Sequence, residues 1–333
     1  MFEISLLLVV IIITALIFDF TNGAHDCANA IATVVSTKVL SPRTAVAMAA
    51  ALNLIGALLG TEVAHTLGSG IVRPDVVSGS QILVLAGLVG AIFWNSFTWY
   101  FGIPSSSSHA LIGGLMGAAL AHAGVDALNG LSILKKVIVP LVLSPVAGFC
   151  AGALLMGIIT VTFYRVKRSR ANGFFHHAQI FSAGVMALSH GLNDAQKTMG
   201  VITLALFIFG EIDTIYVPLW VKIACALAMA AGTSVGGWKI VKTMGHKIFK
   251  LEPCHGFAAE TSASVVIACA SVVGAPVSTT HTITACIFGV GSTKRLSAVR
   301  WGVAGQLLIA WVLTIPAAAA VGGIAFYLLK MLL

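Results

Sequence analysis

The chain has 333 residues, of which 58% are hydrophobic and only 9% charged. Soluble domains carry about 25% charged residues, so a soluble enzyme or binding domain is excluded and lipid is the solvent. The net charge of +8 is spread through short loops between apolar runs, where it orients a membrane protein rather than gripping nucleic acid.

No Lys or Arg precedes Lys38, so the N-terminus lacks the basic region of a cleavable signal peptide. Residues 4–18 read as the start of the first membrane helix. That first segment, 4–37, is interrupted by a polar island, Asn22-Gly23-Ala24-His25-Asp26-Cys27-Ala28-Asn29-Ala30. Asn22-Gly23 is expected to break the helix near the midplane, because Gly tolerates backbone angles that a helix does not use. Asp19 lies just before the island and reads as a supporting carboxylate or a cap. Segments 44–68 and 80–101 follow. Segment 104–121 opens on a second island, Gly102-Ile103-Pro104-Ser105-Ser106-Ser107-Ser108-His109. Pro104 suits the first helical turn, with Ser105, Ser106, Ser107 and Ser108 supplying hydroxyls and amides at a helix N-terminus, an oxyanion cradle. Segment 137–163 ends this half.

A basic junction with Arg165, Lys167, Arg168 and Arg170 comes next, and then the pattern repeats. Segment 177–209 carries His190-Gly191-Leu192-Asn193-Asp194-Ala195-Gln196-Lys197-Thr198; segments 215–238 and 257–273 follow. Segment 276–290 opens on Gly274-Ala275-Pro276-Val277-Ser278-Thr279-Thr280-His281, and 300–329 closes the chain. Gly191 and Asp194 stand 168 residues after Gly23 and Asp26; Pro276 and His281 stand 172 after Pro104 and His109.

These segments predict an all-α integral membrane protein of about ten membrane segments, in two five-segment repeats with broken or short helices at the midplane. Residues 1–164 form the first repeat, 165–176 a basic cytoplasmic linker and 177–333 the second repeat. An odd number of crossings inverts the second repeat relative to the first, which places a shared site between them. Segments 104–121 and 276–290 are short enough to be re-entrant, which would make the repeat parallel. The bias of Lys and Arg favours full crossings. With the junction inside, most of the 19 basic residues are cytoplasmic. The outer loops hold most loop acids, Glu3, Glu62, Asp75, Asp126, Glu211 and Asp213. Both termini then lie outside a cell inner (plasma) membrane.

Asp26 and Asp194 carry the strongest functional signal, since an ionisable residue inside a membrane segment is costly; the plain alternative is a helix cap. With Asn22, Asn193 and His25 they are the expected coupling-ion set. The anion set is Ser105–Ser108, Ser278, Thr279, Thr280, Asn29, Lys197 and Thr198. Lys197 pairs with Asp194 or Asp26, or with an anionic substrate. Small polar residues also let helices pack closely, and buried histidines such as His109, His190 and His281 often only hydrogen-bond their surroundings. The six cysteines are scattered and read as apolar filler. No resident cofactor or metal site is expected. An intramembrane hydrolase using Ser107 or Ser108 with His109 lacks a Gly-x-Ser-x-Gly elbow. A channel does not account for the paired broken helices.

Both islands of each half resemble the signatures of the inorganic phosphate transporter (PiT) family, along essentially the whole chain. The resemblance implies a non-enzymatic secondary symporter of phosphate built as inverted repeats. It assigns ion and substrate roles to Asp26, Asn29 and Asp194 and to the hydroxyls at 105–108 and 278–280. The sodium-coupled branch has Asn-Asp where this chain has His25-Asp26. With Lys197, that departure is similar to the bacterial proton-coupled branch, in which phosphate can travel as a neutral complex with a divalent metal. Sulfate permeases of the same family and sodium-coupled phosphate symport are the alternatives. A homo-oligomer in the lipid bilayer is compatible with the sequence.

Overall fold

The computed structural model describes residues 5–73, 76 and 80–332. Glu3 and Asp75, counted above among the outer acids, lie outside the described residues. The described chain is helical, with no strand beyond one isolated bridge, Val72 to Leu128.

Two sets of helices follow in the same order. The first is α1 Leu6–Ser36, α2 Pro42–Ala57, α3 Glu62–Gly70, α4 Ile82–Phe101, α5 Ser107–Ala123 and α6 Gly130–Thr162. The second is α7 Arg168–Ile208, α8 Leu219–Val235, α9 Trp238–Lys247, α10 Pro253–Val272, α11 Thr279–Lys294 and α12 Trp301–Leu332. The expected segment 44–68 is thus a pair of helices, α2 and α3, whereas 215–238 is α8 alone, and α9 follows it across a bend of 61° where a loop was expected. The first helix of each set packs on the second helix of the other: α1 on α8, α7 on α2. The fifth packs on the last of the other: α5 on α12, α11 on α6. The halves are therefore intertwined rather than separate domains.

By length and composition, α1, α4, α6, α12 and α5 with the tight turn that extends it to Ala127 can each cross a membrane, and the bent α8–α9 pair, taken as one, makes a sixth span. With 16 residues each, α2 and α11 reach about 24 Å at ~1.5 Å per residue, short of a hydrocarbon core of ~30 Å. The outer faces are apolar: Ile13, Phe93, Val142, Leu154 and Val312 are all exposed, as a lipid-facing surface requires and a soluble one avoids. The basic stretch at the junction is mostly the exposed start of α7, which begins at Arg168.

Neither long helix is broken at its island. Both α1 and α7 run continuously through Gly23 and Gly191, contrary to the expected discontinuity. The glycines serve a close approach instead. A Cβ on Gly23 would strike the carbonyl oxygen of Met229 in α8, and one on Gly191 that of Asn53 in α2. Glycine lets two helix backbones touch there. Where the chain does turn, Gly does the work: Gly102 (φ +67°) and Gly274 (φ +69°) follow α4 and α10 in the left-handed conformation. Each stops its helix and leads the chain into a Ser/Thr island.

Buried apolar side chains form two cores. Leu8–Phe18 of α1 belongs to the first and Cys27–Val34 to the second. On α7 the order reverses: Phe175–Ala187 lies in the second core and Ala195–Leu206 in the first. The two helices thus cross the molecule in opposite senses, and their polar islands meet in the layer between the cores.

Candidate functional site

That layer is built on two helix N-termini. Ser106 caps α5 by accepting from the backbone N–H of His109, and Ser278 caps α11 by accepting from that of His281, both at 3.2 Å. Neither proline takes the first helical turn as expected. Pro104 and Pro276 each precede the cap by two residues, because the Ser side chain is the better N-terminal partner for the free amides. The carbonyl of Pro104 accepts from Trp311 Nε1 at 3.0 Å. Past the caps, the Ser108 hydroxyl reaches across to the carbonyl of Val277 at 3.5 Å. The His109 and His281 rings lie 5.0 Å apart. First-turn amides and the helix dipole make each terminus attractive to an anion.

The islands of α1 and α7 supply the charges. Asp26, Asn29, Asp194 and Lys197 are all within 2% of complete burial. Lys197 donates to Asp194 Oδ1, to Ser108 Oγ and, at 3.1 Å, to the carbonyl of Val277. It therefore ties α7 to both termini, and its carboxylate partner is Asp194. His190 Nε2 lies 3.0 Å from Asp194 Oδ2, and His190 Nδ1 is 3.1 Å from Asn53. Asp26 Oδ1 is 2.6 Å from His25 Nδ1, whose Nε2 reaches Thr98 at 3.1 Å. The two halves are stitched through Asn29. Its amide donates to Thr279 (3.1 Å) and Thr280 (3.0 Å). Thr279 in turn donates to Asp194 at 2.9 Å, and Thr280 to Asp26 at 3.2 Å.

Ligand atoms of Asp26, His190 and Asp194 lie within 4.8 Å of one another. Two carboxylates at that separation repel by about 3 kcal/mol at an effective dielectric constant near 20. One lysine offsets one of them. With neutral histidines the centre keeps a formal charge of −1, beside two N-termini that attract anions. A second convergence, Glu252, Cys254 and His255, is explained by capping. Glu252 and His255 cap the start of α10 reciprocally, and Glu252 also meets Arg168 at 3.2 Å and Lys294 at 3.8 Å.

The remaining expected residues disperse. Ser105 donates to Thr98 at 2.8 Å, behind His25. Ser106 and Ser278 are committed to their caps. Asn193 donates to Ser271 at 2.8 Å, and its side-chain oxygen has no hydrogen-bond partner. Asn22 and Thr198 lie beside Asp19, one layer off; the Ser107 hydroxyl has no hydrogen-bond partner. Thr98 and Asn53, which orient the two histidines, carry no signal in the sequence. Glu260 carried one that went unread: it is an acid inside an apolar segment. It is fully buried in α10 and accepts from Thr33 (2.5 Å), Gln179 (3.0 Å) and Ser182.

The phosphate transporter family model matches residues 22–322. A protein of Bacillus subtilis (strain 168) named "Probable low-affinity inorganic phosphate transporter" is 47% identical over 329 residues, covering 98% of each chain. One of the same name from Rhizobium meliloti (strain 1021) is 50% identical over 323 residues, covering 96% of each. A solved structure, "The sodium-dependent phosphate transporter", superposes with a TM-score of 0.90 at 25% identity, covering 98% of this chain and 100% of its own. The matched span contains every residue of the buried centre as well as the helices that frame it, and the chain belongs to the phosphate transporter family.

Proposed function

We propose that this protein imports inorganic phosphate by proton symport across the cell inner membrane, with both termini outside. The carrying observation is the charge of the centre. Two carboxylates stand against one lysine, which is paired with Asp194, beside two helix N-termini, so an arriving phosphate meets a site that is already net negative. Charge must enter with it, since an uncompensated ion in a low-dielectric interior is expensive. Asp26 and Asp194, with His25 and His190 against them, take up the coupling proton. Asn29, Lys197, Ser107, Ser108, Thr279, Thr280 and the first-turn amides of α5 and α11 hold the anion. The opposite senses of α1 and α7 support an inverted repeat, in which the halves rock about a fixed central site.

Sodium coupling is the second reading, favoured by the name and fold of the solved neighbour. Uptake of labelled phosphate into proteoliposomes separates them. Accumulation driven by an inward pH gradient without sodium is expected. Uptake driven by sodium and indifferent to the pH gradient would refute proton coupling. Sulfate in place of phosphate, and added or chelated divalent metal, test the substrate and the travelling complex in the same vesicles.

A further inference from the structure

Asp19 lies on α1 seven residues, about two turns, before Asp26 and is 0% exposed. The duplication offers it no counterpart: the position 168 residues on is Ala187. Neither of its carboxylate oxygens has a hydrogen-bond partner. Beside it stand Asn22 on its own helix, Thr198 on α7 and Cys225 on α8. The titratable groups that act on it from the packed helices are Asp194 of α7 and Cys225 of α8, and no cation is among them. Lys197 and His190 are both engaged at Asp194.

The Asn22 carbonyl oxygen and the Thr198 hydroxyl are unpartnered as well. The pocket thus holds three orphaned acceptor oxygens, two from Asp19 and one from Asn22, and the groups able to donate there, the Thr198 hydroxyl, the Asn22 amide and the Cys225 thiol, are all uncharged. An isolated carboxylate in an apolar interior is costly to leave charged, and an unpaired buried acceptor costs free energy too. A single proton answers both demands. Protonated Asp19 donates to the Asn22 oxygen, and Thr198 donates to the other carboxyl oxygen.

We propose that Asp19 is a proton-carrying residue of the transport cycle, loaded and emptied once per phosphate moved. This rests on the proton-symport reading above and adds to Asp26 and Asp194 a further protonation site outside the anion centre. One proton from the medium on the entry side adds to the carboxylate and leaves to the medium on the exit side; only that O–H bond forms and breaks. Asp194 acts electrostatically on Asp19 and bonds Lys197 and Thr279 of the anion set, so its charge couples the two sites.

The test is Asp19→Asn in proteoliposomes, since the amide matches the protonated acid in shape and carries no exchangeable charge. Uphill phosphate uptake under an inward pH gradient should fall at least tenfold, together with acidification of the lumen read by a trapped dye. Phosphate–phosphate exchange, which needs no net proton movement, should stay within about threefold of wild type. Should Asp19→Asn not fold, Asp19→Ser carries the same expectation. Uphill uptake at the wild-type level overturns the assignment, as does parallel loss of exchange in a folded variant. A wild-type protein that ignores the pH gradient overturns proton symport itself, and this inference with it. A pH-driven wild type matched by Asp19→Asn overturns only the role of Asp19.

Discussion

Replacing Lys197 by Met removes the one cation from the centre and leaves its volume filled. Asp26 and Asp194 would then lie within 4.8 Å of each other with no ammonium on Asp194. Their repulsion is about 3 kcal/mol at an effective dielectric constant near 20. Breaking a buried ion pair from one side costs ~3–5 kcal/mol in general, so the two routes agree. At the usual unfolding entropy of ~2.1 cal/mol/K per residue, this lowers the melting temperature by roughly 4–7 °C. The protein carries its own reporters: Cys27, Cys225 and Cys286 are free and buried, and a thiol-reactive dye reports their exposure on heating. Exposed Cys150 and Cys269 give the starting baseline. Asp194→Asn in the same chain removes the stranded charge and should restore at least half of the loss. Lys197→Met melting with wild type, or a double variant no more stable than the single one, would refute this account of the centre.

Gly23→Ala and Gly191→Ala should each destabilise by about 1–3 kcal/mol, the usual cost of overpacking, because the new Cβ meets a backbone carbonyl in the partner helix. Gly305→Ala, with nothing within 4 Å of its added Cβ, should melt within a degree or two of wild type, and equal melting of all three would refute the packing role. Glu260→Gln keeps the shape but sets an amide N–H against groups that now donate, Thr33, Gln179 or Ser182. The same thiol assay should show a loss of about 1–3 kcal/mol, as for a buried group left unsatisfied, and an unchanged melt would count against the network.

The centre was legible because charge is rare in this chain. Asp26, Asp194 and Lys197 stand out of apolar runs, and helical spacing already placed Lys197 three residues from Asp194, the partner it takes. The glycines were ambiguous for a physical reason. A helix break and a close helix contact both ask for a missing side chain, and only the partner helix decides between them. At Gly23 and Gly191 the partner is a backbone carbonyl, so the helix stays whole. The partner of Asn193 could not be read from its neighbour Asp194, because one residue turns ~100° on a helix, and its amide donates to Ser271. Glu260 obeys the rule that found Asp26; it escaped notice because it lies outside the repeated islands, so symmetry did not flag it. Thr98 and Asn53 are ordinary polar residues until the fold brings the histidines to them.

The scaffold repeats more faithfully than the chemistry it holds, and the difference has a direction. Asp26 and Asp194 are each met by a histidine and a threonine, but Asp194 is met by Lys197 as well. An ammonium that already spans Asp194 and Ser108 cannot serve a phosphate at the same N-terminus without loosening its hold on the carboxylate. In the proposed cycle, anion arrival therefore raises the demand for positive charge at Asp194, and anion departure returns the lysine to it. Asn29, the matching residue of the first half, carries no charge to redistribute and instead fixes Thr279 and Thr280 in place. One half positions and the other responds. A symmetric pair of lysines would hold the anion more tightly but would leave less need for a travelling proton.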